Sequence, residues 1–182
     1  MKQIVRASLI LKWTATFLAI SLPIMEAGYW ISNGYPFLLP YFDFTKLPAF
    51  GEIPIVWDNL TGLQKLLGFA ANLFPLTFTV FSLAYLSQIF RNFQHLEIFE
   101  EKNAVLLKKS AKALLFGQLV APLHQGILSL ALTFYNPVGK RMITLSFGTE
   151  QLKMIAVALA IFLISWVLKE GCRLQEETRG IV

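Results

Sequence analysis

The chain is poor in the residues that most chemistry needs. It has one cysteine, Cys172, and two histidines, His95 and His124, in 182 residues. A single cysteine excludes an internal disulfide. Two histidines far apart exclude a histidine-rich metal site. No HExxH, G-x-S-x-G, P-loop or GxGxxG pattern occurs, so the common zinc, nucleophile and nucleotide signatures are absent. The acidic pairs Glu100–Glu101 and Glu176–Glu177 lie in charged stretches and read as solvated. The expectation is no catalytic residue, no metal and no cofactor. Charge is also scarce, at 15% of residues against 55% hydrophobic, which excludes a disordered chain. The net charge of +5 is scattered along the connecting segments. Scatter of this kind fits membrane topology and lipid headgroups rather than direct nucleic-acid binding.

What is present is long apolar runs. Trp13–Ile31 has no lysine or arginine, and Leu66–Phe90, Ala113–Tyr135 and Met154–Leu168 have no Asp, Glu, Lys or Arg. About 20 helical residues cross a ~30 Å hydrocarbon core. The runs predict an all-α membrane protein in one domain over residues 1–182. Its spans are expected at about 9–31, 63–90, 104–135 and 150–172. The N-terminal run is read as a retained span. Lys12 interrupts its start, no small-x-small cleavage site follows, and Glu26 sits where a signal's apolar core would end. The last run is short, so Lys153 and Lys169 must snorkel outward to complete it.

Basic residues alternate in density between the connections. Lys2, Arg6 and Lys12 precede the first run. Arg91, Lys102, Lys108, Lys109 and Lys112 fall in the inner segment 91–112, and Lys169, Arg173 and Arg179 follow the last run. The other side holds only Lys46, Lys65, Lys140, Arg141 and Lys153. The richer side should be cytoplasmic, which places both termini on the cytoplasmic side of the membrane. The outer loops, 32–62 and 136–149, are aromatic and proline-rich in the first case. In the first, Ile53, Ile55 and Trp57 alternate with Pro54 and Val56; in the second, Ile143, Leu145 and Phe147 alternate more cleanly with Thr144 and Ser146. Period two predicts strands, and hence a small extracytoplasmic β-cap built from both loops. Thr149 is expected to cap the fourth helix, with Glu150 in its first turn.

Small and polar residues form seams within the spans. Gly68, Asn72, Pro75, Thr79 and Ser82 recur at alternating spacings of four and three. Gly117, Ala121 and His124 do the same beside Gln118, Pro122 and Gln125, and the first span offers Thr16, Ala19, Pro23 and Glu26. Small residues let membrane helices approach, and polar ones bond across. The fourth span has only Ser165 and should be the most lipid-exposed. A carboxylate within a span is costly and usually faces the bundle interior. Glu26 lies about 7–8 Å below the outer end of its helix, and His124 about 16 Å below the end of the third. Helix tilt would narrow that difference. The candidate ligand or proton site is Glu26, Asn72, Gln118, His124 and Gln125. The alternative is that Glu26 sits at the interface while His124 bonds a neighbouring helix. Arg91, Lys108, Lys109, Lys112 and Arg173 are the candidates for contact with a partner or with anionic lipid.

Two stretches are distinctive. One runs from Ile89-Phe90-Arg91 through Ile98-Phe99-Glu100-Glu101-Lys102-Asn103 to Leu106-Leu107-Lys108-Lys109. The other runs from Asn136-Pro137-Val138-Gly139-Lys140-Arg141 through the fourth span to Trp166-Val167-Leu168-Lys169-Glu170-Gly171-Cys172-Arg173-Leu174-Gln175-Glu176-Glu177, closing on Ile181-Val182. Both resemble the uncharacterised family of small bacterial four-span membrane proteins numbered twenty-nine seventy-five among domains of unknown function. The family pattern carries Thr before the Glu-Asn of the first stretch, where this chain has Glu100-Glu101-Lys102-Asn103. The resemblance brings no activity and no catalytic residues. Some members look to be encoded beside small helix-turn-helix regulators, which implies a non-enzymatic regulatory or sensory membrane partner of such a cytoplasmic protein. The alternatives are a small transporter or pore component around Glu26, Asn72, Gln118 and His124, or a structural subunit of a larger homo- or hetero-oligomeric assembly.

Overall fold

The computed structural model describes residues 2–33, 60–139, 141–145 and 147–179. It has four helices: α1 (Lys2–Ile31), α2 (Gly62–Gln94), α3 (Glu101–Thr133) and α4 (Thr149–Arg179). All four are long and apolar enough to cross a membrane. At 30 to 33 residues they reach about 45–50 Å, well beyond a ~30 Å core. α3 is helical from Glu101 straight into the third span, and α4 continues to Arg179.

Burial is inverted relative to a water-soluble fold. Glu26, Gln64, Asn72, Asn103, His124, Gln125 and the serines 8, 82, 110, 129 and 165 are buried, while Phe17, Ile20, Phe81, Leu123, Leu163 and Val167 are half exposed or more. In lipid the solvent accepts apolar side chains, and polar ones must find partners inside the protein.

Among the described residues, close backbone approach joins only successive helices: α1 with α2, α2 with α3, and α3 with α4. The helices form a row, with α1 and α4 at its ends. The α2–α3 contact follows a seven-residue repeat on α3, Asn103, Ser110, Gly117 and His124, all buried. Asn103 Oδ1 accepts from Asn92 Nδ2 at 2.7 Å, and the Ser110 and Ser82 hydroxyls bond at 2.7 Å. A Cβ on Gly117 would stand 3.2 Å from Phe78 Cβ, so the backbones meet closely there. At the start of α2, Gln64 Nε2 donates to the Leu132 carbonyl near the end of α3 at 2.8 Å. Strict seven-residue spacing gives a left-handed, coiled-coil-like crossing. On α4 the repeat is Gln151, Ala158, Ser165 and Cys172, again buried. Ser165 is therefore one of four residues on a packed stripe rather than a lone small residue. The α1–α2 contact is fixed by Thr16 Oγ1 and Ser87 Oγ at 2.8 Å.

The turn between α2 and α3 is closed by Asn103. Its Nδ2 donates to the carbonyls of Glu97 and Ile98, and Leu96 takes φ 62° to end α2. Glu100, at the helix cap, makes no side-chain capping bond. Asn103 closes the turn from within the first turn of α3.

The expected β-cap is not found: there is no strand among the described residues. Its second half, residues 141–145, lies along α3 instead. Met142 N donates to Thr133 Oγ1 at 3.1 Å and Thr144 N to Ser129 Oγ at 2.9 Å, while Leu145 and Ile143 pack over Gly126. The alternation is real, but the segment's partners are helix side chains rather than a second strand. Residues 34–59, the expected first half, lie outside the described residues. Thr149 is the first residue of α4 rather than its cap. The Gln151 side chain reaches back to accept from Gly148 N at 2.8 Å.

Candidate intramembrane polar site

Three helices deliver one polar side chain each to a single node. Asn72 is ten residues into α2 and His124 nine residues before the end of α3, so both lie about 14–15 Å below their helix ends. Glu26 on α1 is shallower, and the reach of its side chain closes the gap. Asn72 Nδ2 donates to Glu26 Oε1 at 2.7 Å, and His124 Nε2 meets Asn72 Oδ1 at 2.7 Å. With the amide oriented this way, Nε2 of His124 carries the proton. Trp30, one turn beyond Glu26, donates its indole N–H to the same Oε1 at 2.7 Å. Glu26 is 1% exposed and His124 4%. No cation pairs with Glu26 among the described residues, so its burial rests on these donors.

The indole lies flat against α2. A Cβ on Gly68 would stand 2.0 Å from the Trp30 ring, so glycine is what admits it. Tyr29, Trp30, Leu128 and Leu132 form an apolar cluster beside the node, toward the C-terminal ends of α1 and α3.

The five expected site residues therefore divide. Glu26, Asn72 and His124 meet, and Gln125 is buried beside His124. Gln118 is half-buried and takes no hydrogen-bond part in the node. Trp30 was not anticipated, although its i+4 spacing from Glu26 places it on the same face. Asn103 was not anticipated either. Its signal is the seven-residue spacing back from His124, which crosses the charged inner segment where the apolar run had ended.

The basic residues do not form one patch. Lys108 lies over the Phe162 ring at 5.6 Å and Lys109 over Tyr85 at 6.0 Å. Arg173 pairs with Glu170 at 2.5 Å and Glu177 at 3.7 Å. Arg91 and Lys112 are exposed.

The node holds a carboxylate and an imidazole joined through an amide. An amide N–H passes no proton under ordinary conditions, so Asn72 links the two titratable groups mechanically without relaying protons between them. Protonating Glu26 would weaken two charge-assisted bonds at once, one within α1 and one to α2. No third metal-ligating side chain joins Glu26 and His124 among the described residues.

A family model described as a protein of unknown function (DUF2975) matches residues 13–181. No curated protein and no solved structure matches the chain.

Proposed function

The chain belongs to the DUF2975 family of proteins of unknown function, and from that premise we propose that it is a non-enzymatic sensory or regulatory protein of the bacterial inner membrane. In this reading both termini are cytoplasmic, because the basic residues concentrate on that side. The observation that carries the proposal is the Glu26–Asn72–His124 node. It ties α1, α2 and α3 together at one buried titratable point. A change in its charge or ligation alters how three helices pack, and the same helices extend past the membrane on the inner side. Exposed charge there lies at Glu101 and Lys102 on α3, and at Lys169, Glu170 and Arg173 on α4, which packs on α3 and would move with it. They are the proposed contact surface for a small helix-turn-helix regulator.

The test is quantitative co-purification from native membranes of the wild type and of Lys169→Glu with Arg173→Glu. The expected result is a regulator of that class bound to the wild type and lost from the variant. Retention by both, or no such regulator with either, overturns the proposal. A transporter would draw on the same three side chains, but Asn72 interrupts any direct proton path between Glu26 and His124. A liposome flux assay with Glu26→Gln decides that alternative. Flux in the wild type that the substitution abolishes favours the transporter, and no flux argues against it.

A further inference from the structure

The pairing of the helices sets Lys108, Lys109 and Lys112 at a depth where their neighbours are still apolar. Lys109 stands over Tyr85 and Ser110 bonds Ser82. The uncharged run of α2 continues inward from Tyr85 for five more residues, to Phe90, which is about 7–8 Å. On the other side Lys108 stands over Phe162, and the uncharged run of α4 continues six residues further, to Leu168, about 9 Å. Lys112 lies one turn deeper than Lys108. Apolar shoulders from α2 and α4 therefore extend inward past three lysines.

The three side chains share one side of α3. At 100° per residue, positions 108, 112 and 109 fall within about 100° of one another. They are exposed, and the same stripe continues outward as Phe116, Leu119, Leu123 and Ile127, each more than half exposed. That is a lipid-facing stripe whose inner end is triply positive. None of the three lysines is in an ion pair among the described residues. The lysine stems allow some snorkelling, but Lys112 is set too deep for its ammonium to clear both shoulders. Three uncompensated charges at this depth need an anion that is itself amphiphilic, with acyl chains against the outward stripe and phosphate at the lysines. A soluble acidic protein would have to enter the bilayer to reach them.

We propose that the inner end of α3 binds the headgroup phosphate of an anionic phospholipid of the inner leaflet, drawn up between the shoulders of α2 and α4. Lys108 and Lys109, steered by Phe162 and Tyr85, flank the phosphate, and Lys112 meets it from the deep side. The site is distinct from the Glu26 node and stands whether or not the sensory reading holds.

The test is native mass spectrometry of the full chain, reconstituted in vesicles of equal phosphatidylglycerol and phosphatidylcholine and then released, counting the lipids retained. The wild type should keep phosphatidylglycerol over phosphatidylcholine by about tenfold. Lys108→Gln, Lys109→Gln and Lys112→Gln together should bring the ratio near parity. The corresponding three Lys→Arg changes should preserve it. Lys65→Gln, Arg141→Gln and Lys153→Gln, which remove the same charge at the other end, should also preserve it. An unchanged preference in the triple Gln variant, or equal loss in the outer control, overturns the proposal. If the triple variant fails to insert, Lys112→Gln alone should still lower the ratio several-fold, and no change there overturns the proposal equally.

Discussion

At Gly68 a missing side chain decides the geometry of the site. The Trp30 indole occupies the space that any Cβ would fill, and that position lets Nε1 reach Glu26. Gly68→Ala is expected to displace the ring, break the Trp30–Glu26 bond and destabilise the protein by about 1–3 kcal/mol, the usual cost of overpacking. Thermal unfolding in detergent measures the cost, and a red shift of tryptophan emission reports the displaced indole. A second prediction concerns Glu97, in the turn between α2 and α3. Lys102 Nζ donates to its Oε2 at 2.5 Å, and this bond holds the carboxyl below its ordinary value. The folded-state pKa is depressed. The stabilisation is therefore present above the ordinary carboxylate range and is lost as pH falls through Glu97's folded value. Unfolding midpoints followed from about pH 6 down to about pH 3 should fall less steeply in Lys102→Gln than in the wild type.

Among the helices, α4 shows most plainly how packing is organised. Its buried residues recur every seven positions at Gln151, Ala158, Ser165 and Cys172, while Leu159, Leu163 and Trp166 point away. Small side chains on a single stripe bring α4 against α3, and lipid takes the remainder. Ala158→Leu is expected to lower stability by about 1–3 kcal/mol by forcing α4 off α3. The neighbouring Leu159→Ala, at 55% exposed, should stay within about 0.5 kcal/mol. Denaturation in mixed micelles separates the two. The apolar runs showed where the helices lie, since hydropathy reads the lipid directly. The seams of α2 and α3 were legible because small and polar residues recur at four and three within those runs. Asn103 and Ser110 escaped notice because Lys108, Lys109 and Lys112 break the apolar run before the repeat ends. The α4 stripe escaped because Ala158 and Cys172 look aliphatic among aliphatics. The alternation at Ile143–Phe147 reads as a strand because period two describes an extended chain without saying what receives its backbone hydrogen bonds. Here Thr133 and Ser129 receive them.

The whole molecule is a row of four helices stitched by polar contacts, with a titratable node toward the C-terminal ends of α1 and α3 and three lysines near the N-terminal end of α3. Glu26 and His124 were both visible in the sequence. Their meeting was not, because it depends on the relative depth of α1, α2 and α3 and on Asn72 standing between them. The orientation drawn from the basic residues predicts that Val138→Cys, at 93% exposed, reacts with a membrane-impermeant maleimide on intact cells when Cys172 is replaced by Ala. Lys2→Cys in the same background should react only after the membrane is broken. The central claim is that Asn72 and His124 bond across α2 and α3 inside the membrane. A double-mutant cycle with Asn72→Ala and His124→Ala, read by unfolding in bicelles, tests it most directly. A coupling of about 0.5–1.5 kcal/mol is predicted, the range for hydrogen bonds between membrane helices. Simple additivity of the two single substitutions would contradict it.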